Sequence, residues 1–348
     1  MRGHPFALGT ELANASLSSV LSSPTSEQTH MTSTESSKRT VLVTGGAGFI
    51  GSHVADALLA LGHNVVIVDD LSSGRRENIP AGATFAQVDI RDEAAVAKVF
   101  AEHKFDAITH QAAQTSVSIS TREPLRDAAI NVMGTLHLLE NAVKTGVKRF
   151  VFASTGGAIY GEVAGPGKAT LDTIQRPLSP YACSKLAGEA YLRRYAHDFG
   201  LETRILRYAN VYGPRQDPHG EAGVVAIFAQ RILAGEGIRV NARKTLGDDG
   251  CVRDYVFVKD VVKANVRALT GQISMPVVHL ATGVETTTRQ LAHHIAKAAG
   301  KTAEVGDAPR RDGDVERSVL EPTFEATGAL PTSLEEGAAE TIAWFRSR

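Results

Sequence analysis

Val41-Leu42-Val43-Thr44-Gly45-Gly46-Ala47-Gly48-Phe49-Ile50-Gly51 decides the fold. A short β-branched run enters a turn punctuated by Gly45, Gly48 and Gly51. A helical pattern follows at once, with Ile50, Val54, Leu58 and Leu61 on one face. Glycine permits the tight turn, lets the backbone approach a bound group, and brings helix close to strand. The helix N-terminus offers unpaired N–H groups and a partial positive charge, which suits a pyrophosphate. The next apolar run, Val65-Val66-Ile67-Val68, ends on Asp69. An acid there accepts hydrogen bonds from the ribose of an adenine dinucleotide and repels a 2′-phosphate. NAD is therefore expected over NADP, although Arg75 and Arg76 are near enough in sequence to hold a 2′-phosphate. The alternative is a plain left-handed turn beside a solvated aspartate. The strand–turn–helix context argues against it.

The same alternation continues through Ala107-Ile108 and Phe150-Val151-Phe152, with further strands expected at Arg204–Arg207 and Val277–Leu280. Short runs of this kind suit strands buried on both faces by flanking helices. The fold class is therefore α/β, a Rossmann-type doubly wound parallel sheet with a smaller α/β substrate-binding lobe. The dinucleotide-binding domain is expected at 39–210, with 254–282 returning to it. The lobe is expected from 211–253 and 283–348, where Gly, Pro and charge are richer. A C-terminal helix, Leu334–Phe345, carries Trp344 and is expected to pack on that lobe. Residues 1–38 read as a disordered tail with Met31 as a candidate start, because Ser and Thr dominate and no apolar periodicity survives. They lack the apolar run of a secretory signal.

The chain has 348 residues, of which 43% are apolar and 22% charged, an ordinary soluble composition. Its 37 basic residues nearly cancel its 38 acidic ones, so no global field favours nucleic acid or an anionic membrane. No apolar stretch approaches the length of a transmembrane helix. Cys183 and Cys251 cannot build a disulfide framework and read as reduced thiols of a cytoplasmic protein. No metal is expected, because His293 and His294 are adjacent and point apart on a helix.

Ser179-Pro180-Tyr181-Ala182-Cys183-Ser184-Lys185 opens a second informative helix, with Tyr181 and Lys185 on one face. A tyrosine acting as a base near neutrality needs its pKa lowered, and a neighbouring lysine cation and a positive nicotinamide ring are the obvious sources. A Tyr-x-x-x-Lys pair alone is common. Behind a dinucleotide turn it points to hydride and proton transfer.

Here the chain resembles the extended short-chain dehydrogenase/reductases of the nucleotide-sugar branch, and among them the UDP-glucose (UDP-galactose) 4-epimerases. The resemblance runs from about Arg39 to Arg348. Its motifs are Thr44–Gly51, Asp89-Ile90, Asn131-Val132-Met133-Gly134-Thr135, the Tyr181/Lys185 pair, Arg207-Tyr208-Ala209-Asn210-Val211-Tyr212-Gly213-Pro214-Arg215, and Arg253-Asp254-Tyr255. It implies that NAD stays bound and that Tyr181 is the acid/base at the sugar O4. Lys185 would hold the nicotinamide ribose, and Thr155, with Ser154 as its neighbour, would bridge O4 and Tyr181. For the cofactor it implies contacts from Gly45, Gly48, Phe49, Ile50, Gly51, Asp69, Asp70, Leu71, Ser72, Ser73 and Gly74. Further along, Asp89 and Ile90 would lie at the adenine, and Gln111, Ala112, Ala113, Thr115, Asn131 and Tyr208 would line the remainder. For a UDP-sugar it implies Asn210, Val224, Arg253 and Arg311 near the diphosphate, Asp314 at the ribose, Ser318 beside the sugar C2, and Arg215 facing a possible C6 carboxylate. For each arginine, a surface salt bridge is the alternative. A homodimer through Asn131–Thr145 and Tyr181–Phe199 also follows from the resemblance.

Two departures stand out. Thr115 occupies a position that is lysine in some epimerases, and the segment after Thr155 is one residue longer than in some relatives. The related 4,6-dehydratases carry an Asp-Glu pair where Gly156 and Gly157 stand here, and glycine cannot transfer a proton. Epimerases of UDP-glucuronate or UDP-N-acetylglucosamine remain as alternatives, as does a non-catalytic NAD-binding scaffold, which would typically lose Tyr181 or Lys185.

Overall fold

The run that opens the turn forms strand β1, Thr40–Thr44, and sits near the middle of a seven-stranded sheet. A computed structural model describes residues 38–163, 165–218, 223–311 and 313–348. The tail expected at 1–38 lies outside these, apart from Lys38. Five further strands follow: β2 Asn64–Asp69, β3 Thr84–Gln87, β4 Ala107–His110, β5 Arg149–Thr155 and β6 Glu202–Tyr208. Across the sheet the order is Val277–Leu280, β6, β5, β4, β1, β2, β3, and every pairing is parallel. Chain order reverses between β1 and β4. In an open α/β sheet, ligands bind in the crevice beyond the carboxyl ends of the strands at such a point.

Helices cover both faces, so the strands carry apolar residues without alternation. One core gathers Val41, Val43, Val54, Leu58 and Ile67, the other Leu42, Ile108, Leu138, Phe150 and Phe152. Burying each such side chain contributes roughly 1.5–3 kcal/mol. The turn after β1 leads into the helix Phe49–Ala60, on which Val258–Thr270 packs.

Beyond β6 the chain builds small pairings. Asn210–Tyr212 pairs with Tyr255–Phe257, Ile238–Asn241 with Val305–Ala308, and Val252–Arg253 with both Thr286–Thr287 and Arg317–Ser318. Helices Val224–Ala234, Thr288–Ala299 and Leu334–Arg346 enclose a third core with Tyr212, Phe228, Phe257 and Ile295. The C-terminal helix buries Ala338 and Ile342 there, while Trp344 stays half-buried against Phe345.

Candidate active site

Thr44 ends β1, and Gly45 turns the chain with φ +66°. A Cβ on Gly45 would lie 2.6 Å from the Ala112 nitrogen, and one on Gly51 would overlap the Gly45 carbonyl. Only glycine fits either place. The helix begins at Phe49 with Gly48 as its N-cap and no side-chain cap, leaving its first N–H groups to face the crevice. The cradle suits a pyrophosphate.

Asp69 is buried and its carboxylate accepts from Ala47 N at 3.0 Å and Leu71 N at 2.8 Å. Burial nonetheless pushes its pKa above the usual carboxylate range. Leu71 sits at φ 62°, and a side chain on Gly74 would strike Asp69 Oδ1 at 2.6 Å, so this loop folds around the acid. Asp70 ties down the backbone and hydroxyl of Ser72, while Ser73 is exposed. Arg75 reaches Asp217 at 3.3 Å, and Arg76 lies over the Phe85 ring and donates to Gln87. Both arginines are thus occupied away from Asp69. Asp89 chelates Arg91 rather than standing free, and Ile90 is buried against Gly134.

Along the other side of the crevice run Gln111, Ala112 and Ala113, half-buried, and Thr115, exposed. Tyr208 donates to Gln111 Oε1 at 3.3 Å and accepts from Asn265 at 2.8 Å, so it orients the glutamine from below. Asn131 differs from the expected cofactor contact. Its amide accepts from Gln114 N and donates to Gln114 O and to Asp127 Oδ1, so it holds the loop instead. His110 belongs to the same frame. Thr135 donates to Asn131 O, so His110 Nε2–H donates to Thr135, and Nδ1 accepts from Thr44 at 2.7 Å. The ring is neutral, its pKa held well below the ordinary histidine value by burial.

At the carboxyl end of β5 the side chains alternate. Thr155 turns to the crevice, toward Gly157, and its hydroxyl acts to lower the pKa of Tyr181. Ser154 turns the other way and donates to Glu189 at 2.6 Å, which removes it from the expected catalytic set. The helix Pro180–Phe199 carries Tyr181, Lys185 and Glu189 at successive four-residue steps and is capped by Ser179. Burial pushes the Tyr181 hydroxyl up to about 12, with the Thr155 hydrogen bond working against the rise and Asp127 adding to it. Burial brings Lys185 down to about 8. Its ammonium donates to the Ala153 carbonyl at 3.0 Å and lies over the Phe152 ring. Contrary to the sequence-based expectation, the lysine therefore does not lower the tyrosine in the chain as it stands.

On the substrate side, Asn210 donates through backbone and side chain to the Asp254 carbonyl. A Cβ on Gly157 would come 3.8 Å from the Asn210 amide and 4.0 Å from Thr155 Oγ1. Ser318 is buried, donates to Gly157 O at 3.0 Å and pairs with Arg253 across the short strands. Thr155, Gly157, Asn210, Arg253 and Ser318 thus converge. Val224 starts its helix half-buried, and Asp314 folds its N–H back to the carbonyl of exposed Arg311. Arg215 departs from expectation. Its Nη1 lies 2.7 Å from Asp56 on the helix Phe49–Ala60, close enough for an ion pair though not angled for a hydrogen bond. A cavity of about 650 Å³ lined by Glu162, Arg243, Lys244, Arg310 and Arg317 adjoins the strand holding Ser318.

Asp127, fully buried beside this helix, and Glu189, fully buried on it, were missed by the sequence reading. The signal was present, since Asp127 precedes Asn131 by one helical turn and Glu189 follows Lys185 by one. Among the described residues, no group of His, Cys, Asp or Glu side chains could hold a metal ion, and no helix is long and apolar enough to cross a membrane.

A glycine-turn parallel sheet with a Tyr-x-x-x-Lys pair, the tyrosine half-buried and the lysine buried, beside a strand-end threonine defines an extended short-chain dehydrogenase/reductase. Residues 41–278 match the NAD dependent epimerase/dehydratase family, and the chain belongs to that family. It is similar to the UDP-glucose 4-epimerase of Mycolicibacterium smegmatis, 46% identical over 316 residues, covering 88% of this chain and 98% of that protein. Among solved structures it resembles the Thermus thermophilus UDP-glucose 4-epimerase in complex with NAD. That match has a TM-score of 0.84 at 50% identity over 88% of this chain and 99% of the other. The Thermotoga maritima UDP-glucose 4-epimerase with UDP-glucose gives 0.83 at 47% identity, with the same shares covered.

Proposed function

We propose that this chain is a UDP-sugar 4-epimerase working on the UDP-glucose/UDP-galactose pair through transient oxidation at C4. The observation that carries the reading is Tyr181 opening the helix Pro180–Phe199 with buried Lys185 one turn further along, behind the glycine turn after β1. A bound NAD would supply the hydride acceptor and donor for the sugar C4. Thr155 Oγ passes the O4 proton to the Tyr181 phenolate, and the same path returns it when the carbonyl is reduced. Because Tyr181 stands near 12 in the chain alone, a cation brought beside its oxygen must favour the phenolate before it can accept.

Asp69, with Arg75 and Arg76 engaged elsewhere, supports NAD over NADP. Gly45, Gly48, Phe49, Ile50 and Gly51 would hold the pyrophosphate. Asn210, Arg253 and Arg311 would hold the UDP diphosphate, with Asp314 at its ribose, since arginine forks match phosphate oxygens. Gly156 and Gly157 offer no acid to expel water, which argues against dehydration. A boundary between the dinucleotide-binding part and the sugar lobe near 210, crossed again over 254–282, belongs to the same proposal. So does a homodimer through the helices Asn131–Thr145 and Tyr181–Phe199, where exposed Met133, Tyr191 and Phe199 support it. A cytoplasmic setting is supported by two unpaired cysteines.

One sample tests the reading. The purified chain should release NAD on denaturation and interconvert UDP-glucose and UDP-galactose without added cofactor. Retained NAD with no interconversion of any UDP-hexose would leave a binding scaffold.

A further inference from the structure

We propose that Asp127 is a positioning residue for the Tyr181–Lys185 pair. Its buried carboxylate ties the helix Pro180–Phe199 to the loop after β4 and to the π-helical turn Ala129–Met133, and places a fixed negative charge beside both groups. The inference rests on the epimerase reading for its kinetic arm only.

Asp127 is 0% exposed. Its Oδ2 accepts from Ser184 Oγ at 2.6 Å, and its Oδ1 from Gln114 Nε2 at 2.9 Å and Asn131 Nδ2 at 3.0 Å. All three donors are neutral, so no cation is hydrogen-bonded to the carboxylate. A buried carboxylate usually sits against a cation, because an unmatched charge is costly in a medium of low dielectric. Here the nearby charge partners are the titrating pair itself. Ser184 lies between Tyr181 and Lys185 on their helix, so the 2.6 Å bond fixes that helix's rotation relative to Asp127. Asn131 and Gln114 bind each other twice, which fixes the loop that faces the crevice. One carboxylate thus sets the register of three segments that frame the reaction.

The other charged or titratable groups around it come from each packed element. Tyr181, Cys183 and Lys185 lie on the long helix, Arg122 on Val117–Arg122, and Glu123 and Arg126 at the start of its own helix. Glu123 and Arg126 pair with each other at 3.0 Å and are about half exposed, so solvent screens them. The negative charge of Asp127 holds both Tyr181 and Lys185 toward their protonated forms. Removing that charge moves the two groups in the same direction, toward losing their protons at lower pH. A purely structural residue has no such signature.

Asp127→Asn separates charge from shape. The asparagine carbonyl can take the two amide donors, and its NH₂ can face Ser184, whose hydroxyl can turn to accept. The pH profile of kcat for UDP-glucose should move acidward on both limbs by about one pH unit. In parallel, carbon-13 NMR of lysine-labelled protein, with Lys185 assigned by loss of its signal in Lys185→Arg, should show the Lys185 midpoint falling by a similar amount. Ser184→Ala keeps the charge and loses the tie, so its rate should fall while its limbs do not move acidward. An Asp127→Asn profile that overlays wild type after scaling, an unmoved Lys185 midpoint, or an acidward shift in Ser184→Ala would overturn the proposal. If Asp127→Asn does not fold, Ser184→Ala decides alone. An inactive wild type would count against the epimerase reading, and the lysine titration would still decide Asp127.

Discussion

The helix Pro180–Phe199 buries charge at two levels, and the two are handled differently. One turn beyond Lys185, Glu189 receives Arg207 through two hydrogen bonds, at 2.8 and 2.6 Å, and both side chains are nearly free of solvent. Ser154 and half-exposed Arg193 add a third and a fourth bond to Glu189, at 2.6 and 2.9 Å, and Arg207 also donates to Tyr160. Tyr160 in turn donates to His279, whose other nitrogen donates to the Glu321 carbonyl. Every group there has its partner. At Tyr181 and Lys185, by contrast, the phenol is pushed up, the amine is pushed down, and the ammonium rests on a carbonyl rather than a carboxylate. A closed network holds the helix on β5 and β6. The open one is poised to exchange protons with a ligand.

The comparison breaks most sharply at Tyr181. Tyr181→Phe keeps the ring and removes the oxygen proposed to take the proton from Thr155. Turnover should fall by roughly 10²–10⁴-fold, with NAD retention and melting temperature nearly unchanged. A variant that keeps more than a tenth of the wild-type rate would put the acid/base elsewhere.

At the closed level the loss should appear in stability instead. Glu189→Gln leaves Arg207 buried without its counter-charge, which costs about 3–5 kcal/mol. Denaturant titration measures it, and the folded fraction should turn over within tenfold of wild type. The double change Glu189→Leu with Arg207→Met should lose less than Glu189→Gln alone, because no orphan charge remains. An equal or larger loss would mean that Ser154 and Tyr160 depend on the pair more than its charges do.

Acid should strain both levels at once, through His110 at the open end and His279 in the closed network. Burial lowers both, His279 to about 4. A histidine whose pKa is lower folded than unfolded stays neutral in the native chain, while the unfolded chain takes up the proton. Stability is therefore full above about pH 6.5, the unfolded value, and declines as pH falls from there toward the folded values. These two groups alone give a slope of roughly 3 kcal/mol per pH unit, and His53 and His63, also lowered by burial, add to it in the same direction. Asp69 and Asp254, raised by burial, bind protons earlier when folded and oppose the decline as pH nears the carboxylate range. Urea melts between pH 7 and pH 5 should show the slope, and His279→Asn should reduce it by about 1.4 kcal/mol per pH unit, one group's share. A flat profile would mean that the unfolded chain gains no protons over the folded one in that window.

Much of this was legible in the residues. Each of the apolar runs read as strands lies within a strand of the parallel sheet, because a strand buried on both faces must be written in Val, Ile and Phe. Thr84–Gln87 was not read, since an edge strand that is half exposed needs no apolar run. The glycine turn and the Tyr181/Lys185 pair could be read because their chemistry depends on local spacing. Asp127, Glu189 and His110 could not be weighed, because what makes each of them matter is burial against partners distant in sequence. Ser154 and Arg215 turn toward other partners for a related reason. The strand pleat and a contact with Asp56 decide where they point, and neither is visible in a motif.

The smallest expected effect concerns the sugar rather than the helix, and it asks how far the open end extends. Ser318 is buried rather than on a solvated turn, and its hydroxyl holds the carbonyl of Gly157, whose α-carbon faces Asn210 and Thr155. If Ser318 walls the space beside the sugar C2 substituent, its small side chain should let UDP-N-acetylglucosamine be accepted along with UDP-glucose. Ser318→Tyr would fill that volume and break the bond to Gly157. If the space belongs to the acetamido group, turnover of the N-acetyl sugar should drop at least about tenfold, worth about 1.4 kcal/mol, with UDP-glucose nearly untouched. A loss shared equally by both substrates would mean that the ring displaces Gly157 and with it Thr155. Ser318 would then be part of the frame that holds the proton path, like Glu189, and the limit on sugar size would lie in other loops.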